Sequence, residues 1–506
     1  MEEELLKTRR EKLDKLRAME IEPYPYKYER QFFSKELLEQ FDTLGVKDDS
    51  QLESPDAVRV QVCGRIMSLR SKGKTAFAHI LDPHGKIQIY ARKDALGEKM
   101  YESFSKLFDL GDIIGVKGIL FKTHTGEITI KAEEITLLCK SLRYLPAGKE
   151  KVLEDGSVQR YSDVEDKEFR YRQRYADMIM HPEVRDVFVK RSRIISAIRQ
   201  FLDKRDYLEV ETPILQPLYG GASARPFMTH HNALDVKLYM RIALELYLKR
   251  LIVGGCERVY EISKIFRNEG MDRFHNPEFT MLEFYEAYSD FYDLMTLTEE
   301  MLSFVCQQVN GSAQIRTMGH DVNFAPPYER LSMFDAIKKY VNLDVTEMTE
   351  EALRGECRKM EIPLEKSWDR GKIIDEIFSA KVQEHLIQPV FIMEQPIEIS
   401  PLAKKHRSKK GVVERFELFI LGSEVANAFS ELNDPIDQRQ RFEAQMGLRA
   451  RGDEEAQMLD EDFLRAIEYG MPPTAGEGIG IDRLVMMMTD QESIRDVLFF
   501  PTMRPE

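Results

Sequence analysis

Three stretches of this chain put charged residues or glycines where strand periodicity calls for apolar side chains. In IFRNEGMDRFHNPEFTMLEFYEAY, Ile265 to Tyr288, two strands joined by a loop at Gly270 to Pro277 place Arg267 and Glu269 on one face of the first strand. Phe279, Met281, Glu283 and Tyr285 share one face of the second. A buried sheet face carrying a guanidinium and two carboxylates is too costly to stand uncompensated. A ligand bearing phosphate and ammonium groups would compensate it; the alternative is a face open to solvent. In RFELFILGSEVANAFSELNDP, Arg415 to Pro435, Asn427, Phe429 and Glu431 alternate on one face. Glu417 and Glu424 flank an apolar strand and a turn at Gly422. Two carboxylates converging on one pocket can hold magnesium against ATP phosphates, although paired glutamates are more often surface charge.

The third stretch is PTAGEGIGIDRL, Pro473 to Leu484, where Gly476, Gly478 and Gly480 recur at every second residue and lead to Asp482 and Arg483. This is neither the dinucleotide fingerprint nor a P-loop, since the spacing differs and no Lys-Ser or Lys-Thr follows. Alternating glycines clear one face of a strand, so that a flat ligand such as adenine can lie against backbone. Gly480 also lets Asp482 and Arg483 begin a helix close to the site.

The elements that must position these residues show three periods. Glu2 to Met19 is helix-prone and charged, with a thin stripe of Leu5, Leu6, Leu13 and Leu16, and reads as a solvated surface helix or arm. From Val58 to Leu138 short alternating segments are separated by Gly73, Gly85, Gly111 and Gly126, with a helical piece from Ala95 to Leu107 between the third and fourth. That is the layout of an OB-fold barrel, which binds single-stranded nucleic acid by stacking bases on aromatic side chains. Phe77 shares a face with Thr75 and His79, and core and stacking platform are equally open to it. A polar connector, PAGKEKVLEDGSVQRYSDVEDKEFR, separates the barrel from a large α+β region. That region opens with an amphipathic helix, Arg185 to Lys204, whose apolar side includes Val189, Ile194, Ile198 and Phe201, and the strand YLEVETPIL follows. A helical insertion spans about 330–385.

Length and composition bound the answer. At 506 residues the chain needs two or three domains, and a net charge of −14 argues against bulk coating of nucleic acid, so any such role needs local surfaces. Cys63, Cys139, Cys256, Cys306 and Cys357 are scattered and form no C-x-x-C pair, which suits free thiols in a reducing compartment. The charged N-terminus resembles no secretory or transit signal, and no apolar run reaches membrane-span length, so a cytoplasmic protein without membrane partners is expected.

Taken together, the motifs resemble those of class II lysyl-tRNA synthetases. YLEVETPIL, with Pro213, is similar to motif 1 of class II enzymes, FRNEG…HNPEFTMLEFYEAY to motif 2, and GIGIDR to motif 3. GGASARPFMTHHNALD and RIALELYLKRLIVGG look specifically like the lysine enzymes. The resemblance implies an α+β protein: a helical arm over 1–55, an OB-fold anticodon-binding barrel over 56–145, and a class II antiparallel-sheet catalytic domain over 146–506. A six-stranded sheet and a homodimer are part of that expectation. The implied substrates are ATP, L-lysine and tRNA(Lys), with Mg2+ as cofactor.

Carried over residue by residue, Arg267 holds the α-phosphate and the amino-acid carboxylate, and Arg483 the γ-phosphate. Glu269, His275 and Asn276 contact ATP, Phe279 stacks on adenine, and Glu417 and Glu424 match magnesium positions. Glu283 takes the α-ammonium and Asn427 helps place the carboxylate, with Gly221 also in the lysine site. Glu245, Glu431 and Tyr285 recognise the side-chain ammonium, and Phe429 packs its methylene stem. Phe77, Gln88 and Glu127 match positions that read a U-rich anticodon. Leu244 departs from the proline many members carry there, which predicts a looser start to the helix bearing Glu245. An aspartate- or asparagine-activating relative is disfavoured by the acidic pair Glu245 and Glu431, which is costly until a cation arrives. A protein-modifying ligase has no need of the barrel, and an inactive RNA-binding scaffold no need of Arg267, Glu417, Glu424 and Arg483.

Overall fold

Alternation of apolar and polar residues closes the N-terminal strands into a barrel. The computed structural model describes residues 2–46, 56–145, 149–152, 158–161, 166–450 and 457–505. The chain divides into two compact units, Met1–Glu165 and Asp166–Glu506. In the first, α1 (Glu2–Ala18) precedes β1 (Arg59–Lys72), β2 (Thr75–Leu81), β3 (Lys86–Arg92), α2 (Glu98–Lys106), β4 (Ile113–Lys122) and β5 (Ile128–Cys139). The strands close in the order β1-β2-β3-β5-β4, the OB-fold arrangement read from the sequence. Val62, Ile66, Ala76, Ala78, Ile80 and Ile89 fill the interior, so the alternate residues of β2, Thr75, Phe77 and His79, face outward. Phe77 is therefore on the open face, not in the core.

The first helix is anchored to the barrel. Leu16 is buried in the barrel core, Arg9 donates to the carbonyls of Leu110, Ser141 and Arg143, and Lys12 meets Asp109 at 2.6 Å. Cation-to-carbonyl ties of this kind supplement the thin apolar stripe, of which Leu13 and Leu16 are buried. The connector Pro146 to Arg170 lies partly outside the described residues. Its described parts pair Lys149–Val152 with Val158–Tyr161 and begin a helix at Lys167.

In the second unit α3 (Pro182–Asp203) buries Ile194, Ile198 and Phe201 as expected but leaves Val189 44% exposed. The YLEVETPIL segment contributes a two-residue strand, β6 (Leu208–Glu209), and its last residue opens another, Leu215–Gln216, in a separate three-stranded sheet. There follow α4 (Glu245–Val253), β7 (Arg258–Phe266), β8 (Glu278–Ala287), α5 (Phe291–Asn310), β9 (Glu329–Ser332), β10 (Val390–Met393), β11 (Arg415–Ile420), β12 (Ser423–Ser430), β13 (Thr474–Gly480) and α6 (Ile481–Met488). One sheet of eight strands runs β9-β10-β11-β12-β13-β8-β7-β6. Its six central strands are antiparallel, while short β9 and β6 add to the edges in parallel. The expected six-stranded sheet is thus extended at both edges.

Period two divides the sheet's faces. Leu282, Phe284, Leu418, Ala426, Ala428, Ala475 and Ile479 join Ile198, Leu294, Met301 and Leu484 in the main core. The residues between them point the other way, into the site. Helices Met333–Val341, Glu350–Lys359 and Arg370–Lys381 form the insertion around their own core of Ile337, Leu353, Ile374 and Phe378. The five cysteines are free, and no helix among the described residues is long and apolar enough to cross a membrane.

Candidate active site

A cavity of about 560 Å³ lies on the side-chain face opposite the main core. Phe279, Met281, Glu283 and Tyr285 of β8 line it, as their alternation requires, together with Asn427 and Phe429 of β12. Strand β13 runs between those two strands and sets Gly476 beside Tyr285 and Phe429, and Gly478 beside Glu283 and Asn427. A Cβ on Gly476 would fall 2.2 Å from the Tyr285 ring and 2.4 Å from the Glu431 carboxylate, whereas one on Gly478 would meet nothing nearer than 3.6 Å. Gly476 thus admits side chains from its neighbours, and Gly478 leaves open floor.

Arg267 and Glu269 are not on a strand face. β7 ends at Phe266, and the Arg267 N–H donates to the Pro277 carbonyl at 2.9 Å, which closes the base of the loop. Both side chains still line the cavity, with Arg267 5.2 Å from the Phe279 ring. Across the cavity Arg483, in the first turn of α6, donates to the Glu424 carbonyl at 2.6 Å and contacts His275 Nε2 at 3.1 Å. A guanidinium can only donate, so Nε2 accepts and the Nδ1–H of His275 donates to Asp272, 2.7 Å away. Asn276 is buried and donates to the Glu278 carbonyl at 2.6 Å.

Glu417 and Glu424 reach the same face through a defect that alternation cannot show. Glu417 pairs with Asn427, but Phe419 pairs with Glu424, so one extra residue enters β12 at Val425. This β-bulge turns Glu424 toward Glu417 and Asn427. The Asn427 amide donates to Glu417 at 3.3 Å and to Glu424 at 3.4 Å, and the Arg415 guanidinium reaches Glu417 at 2.5 Å. Burial, helped by Glu424, pushes the Glu417 carboxyl up to about 7, against the pull of Arg415. Two hard oxygen donors converging on one spot suit a divalent cation, which would relieve the repulsion between them. Among the described residues no cluster of three or more such ligands exists, so any ion there must take its other ligands from elsewhere.

At the other end of the cavity Glu283 accepts from the Leu244 N–H at 2.9 Å and from the Tyr285 hydroxyl at 3.0 Å. Burial pushes its carboxyl up to about 7. Leu244 does not simply loosen the helix: a proline there would have no N–H to give Glu283. Gly221 and Glu245 complete this end. Glu431 does not line the cavity. It follows the end of β12, is buried, and its carboxylate forms an ion pair with Lys249. Lys249 pairs with Glu245 as well and is itself fully buried. The acidic pair therefore already has a cation from within the chain. Lys249 and Arg415 escaped the reading of the sequence, although one lies a helical turn from Glu245 and the other shares the alternation of Glu417.

In the first unit, Phe77, Gln88 and Glu127 come together on the open face of the barrel. Gln88 donates to Glu127 at 2.7 Å, His79 Nε2 lies 2.8 Å from the same carboxylate, and Phe77 stacks on Tyr90 at 4.7 Å. Tyr90 and His79 are the additions here. Tyr90 was legible as the aromatic residue on the neighbouring strand.

Barrel and sheet together are the parts of a class II aminoacyl-tRNA synthetase. Residues 166–504 match the family described as tRNA synthetases class II (D, K and N), and residues 60–138 match the OB-fold nucleic acid binding domain. The chain is 53% identical to the lysine–tRNA ligase of Thermoanaerobacter pseudethanolicus, over 99% of this chain and 96% of that protein. It is 52% identical to that of Moorella thermoacetica, over 100% of this chain and 99% of the relative, and 51% identical to that of Halalkalibacterium halodurans, over 99% and 97%. The chain belongs to the lysine–tRNA ligase family.

Proposed function

We infer that the chain uses ATP to convert L-lysine to lysyl-adenylate and transfers the lysyl group to the 3′ end of tRNA(Lys). One observation carries this reading: a single cavity joins guanidinium groups, Arg267 and Arg483, to a carboxylate-lined end, Glu245 and Glu283. An anionic polyphosphate and an amino acid bearing two ammonium groups fit those two ends. In the first step the lysine carboxylate oxygen attacks the α-phosphorus, and the bond to the pyrophosphate oxygen breaks. Arg267, acted on by the charges of both Glu424 and Glu283, takes the α-phosphate and the lysine carboxylate, while Arg483 takes the γ-phosphate. Phe279 stacks on adenine, and Glu269, His275 and Asn276 hold the rest of the nucleotide. Glu417 and Glu424 would hold magnesium, which when bound supplies neutralisation of phosphate charge. Glu283 and Asn427 set the α-ammonium and carboxylate, Gly221 packs close against Ala243 and Glu245 where a Cβ would be crowded, and Glu245, Tyr285, Phe429 and the buried Glu431 define the side-chain end. Fixed charges of this kind, holding reactants in line, suffice without a protein base.

Phe77, Gln88 and Glu127 receive the anticodon on the barrel. A homodimer in the cytoplasm completes the reading. The exposed apolar residues Leu215, Met228 and Val236 on one three-stranded sheet, with Leu234 in its hairpin turn, support it, because exposed apolar surface of this kind invites cover by a second copy. The deciding experiment is amino-acid-dependent ATP–pyrophosphate exchange with each standard amino acid in turn. Lysine alone should support exchange, and exchange with aspartate or asparagine instead would overturn the pocket assignment. An Arg267→Ala variant should lose roughly a hundredfold or more in exchange rate.

A further inference from the structure

Lys249 is a fully buried ammonium that none of the steps above uses. Its ammonium is in ion-pair contact with Glu245 one turn earlier on α4 and with Glu431 beyond β12. Its Nζ also lies 5.4 Å from the Phe429 ring and 5.9 Å from the Phe463 ring. The other charged or titratable groups acting on this cluster are Glu283 and Tyr285 from β8 and Arg415 from β11. Two carboxylates sharing a dry site cannot both remain ionised without a cation.

We propose that Lys249 is a specificity-determining positioning residue, a built-in counter-ion that keeps the Glu245–Glu431 pair ionised at neutral pH. The pocket is then ready for a substrate ammonium and rejects an uncharged chain of the same length. This rests on the lysine reading of the pocket. Burial pushes the Glu245 and Glu431 carboxyls up, and Lys249 opposes it at both, with a smaller pull from Arg415 on Glu245. Without that ammonium the pair holds an additional proton, which an incoming ammonium must displace. Lysine binding then weakens at neutral pH and recovers as pH rises, whereas an uncharged ligand displaces no proton and follows no such trend.

The test compares the full-length protein with Lys249→Met in pyrophosphate exchange across about pH 5.5 to about pH 9, using lysine and norleucine, which has the same four side-chain carbons without the ammonium. The ratio of lysine to norleucine kcat/KM is the readout, because Glu283 faces the α-ammonium of both and cancels. For Lys249→Met the acidic limb of that ratio should move up by about one pH unit or more, about a tenfold loss of discrimination at neutral pH. The double variant Lys249→Met/Glu431→Gln leaves a single carboxylate and should bring the limb back to the wild-type position. If Lys249→Met does not fold, Lys249→Gln, whose uncharged amide can still donate to the carboxylates, takes its place in the same comparison. Coincident limbs for wild type and Lys249→Met, or a double variant displaced as far as the single one, would overturn the proposal and leave Lys249 a structural filler. Failure of the wild-type protein to exchange with lysine would instead remove the reading on which it rests.

Discussion

The Asp482 carboxylate accepts from the Arg191 guanidinium and from the Thr280 N–H, each at 2.6 Å, one residue before Arg483. Both side chains are largely buried, and the contact ties the first long helix and the start of β8 to the glycine strand's exit. Asp482→Ala leaves a buried guanidinium without its counter-charge, held only by the Val497 carbonyl and the Thr280 hydroxyl, and a backbone donor without its acceptor. The expected loss is about 3 kcal/mol or more in folding free energy, read from the urea midpoint. Activity should fall along with it, since Arg483 loses its support; an unchanged midpoint would show the pair to be dispensable.

Glu283 gives a pH dependence of substrate binding. Its carboxyl, pushed up by burial to about 7, is the proposed partner of the α-ammonium and is useful only when ionised. The KM for lysine should therefore rise about tenfold for each pH unit below 7 and level off above it. A Glu283→Gln variant should show a high KM with that limb removed. A KM independent of pH in the wild type would place the α-ammonium elsewhere.

Glu477 gives a pH dependence of stability on the other face of the sheet. It lies among Ala475 and Ile479, accepts from Thr298 at 2.6 Å, and is pushed up by burial to about 8. Because the folded value lies above the ordinary one, the protonated carboxyl's contribution is fully present below the ordinary carboxylate range. It is lost as pH rises through about 8, at roughly 1.4 kcal/mol per pH unit. Between pH 6 and pH 9, Glu477→Gln should lose about 2–3 kcal/mol less stability than the wild type, measured by chemical denaturation. Equal losses would mean that Glu477 is ionised in the folded protein.

Phe77 tests the barrel separately from the sheet. Stacking of one base is worth about 1–3 kcal/mol, so Phe77→Ala should raise the KM for tRNA about tenfold or more. The ratio of charging to pyrophosphate exchange should fall in step. A ratio equal to that of the wild type would move the anticodon contact off the Phe77–Tyr90 stack.

The sequence by itself determined what depends on local period and residue type. Strand alternation assigned Phe279, Met281, Glu283 and Tyr285 to one face, and the spacing of Gly476, Gly478 and Gly480 marked the strand they share. It also separated the barrel from the sheet, because each has its own rhythm of apolar residues and turns. Only the tertiary structure decided what depends on register and on partners distant in the chain. Alternation has no means to announce a bulge at Val425, yet that bulge is what brings Glu424 to Glu417. The pairing of Lys249 with Glu431 spans most of the catalytic unit's sequence, and it turned an apparently uncompensated acidic pair into one already holding a cation. Apolar burial has a period that can be read along a chain, whereas a buried charge is settled by whichever opposite charge the packed elements carry to it.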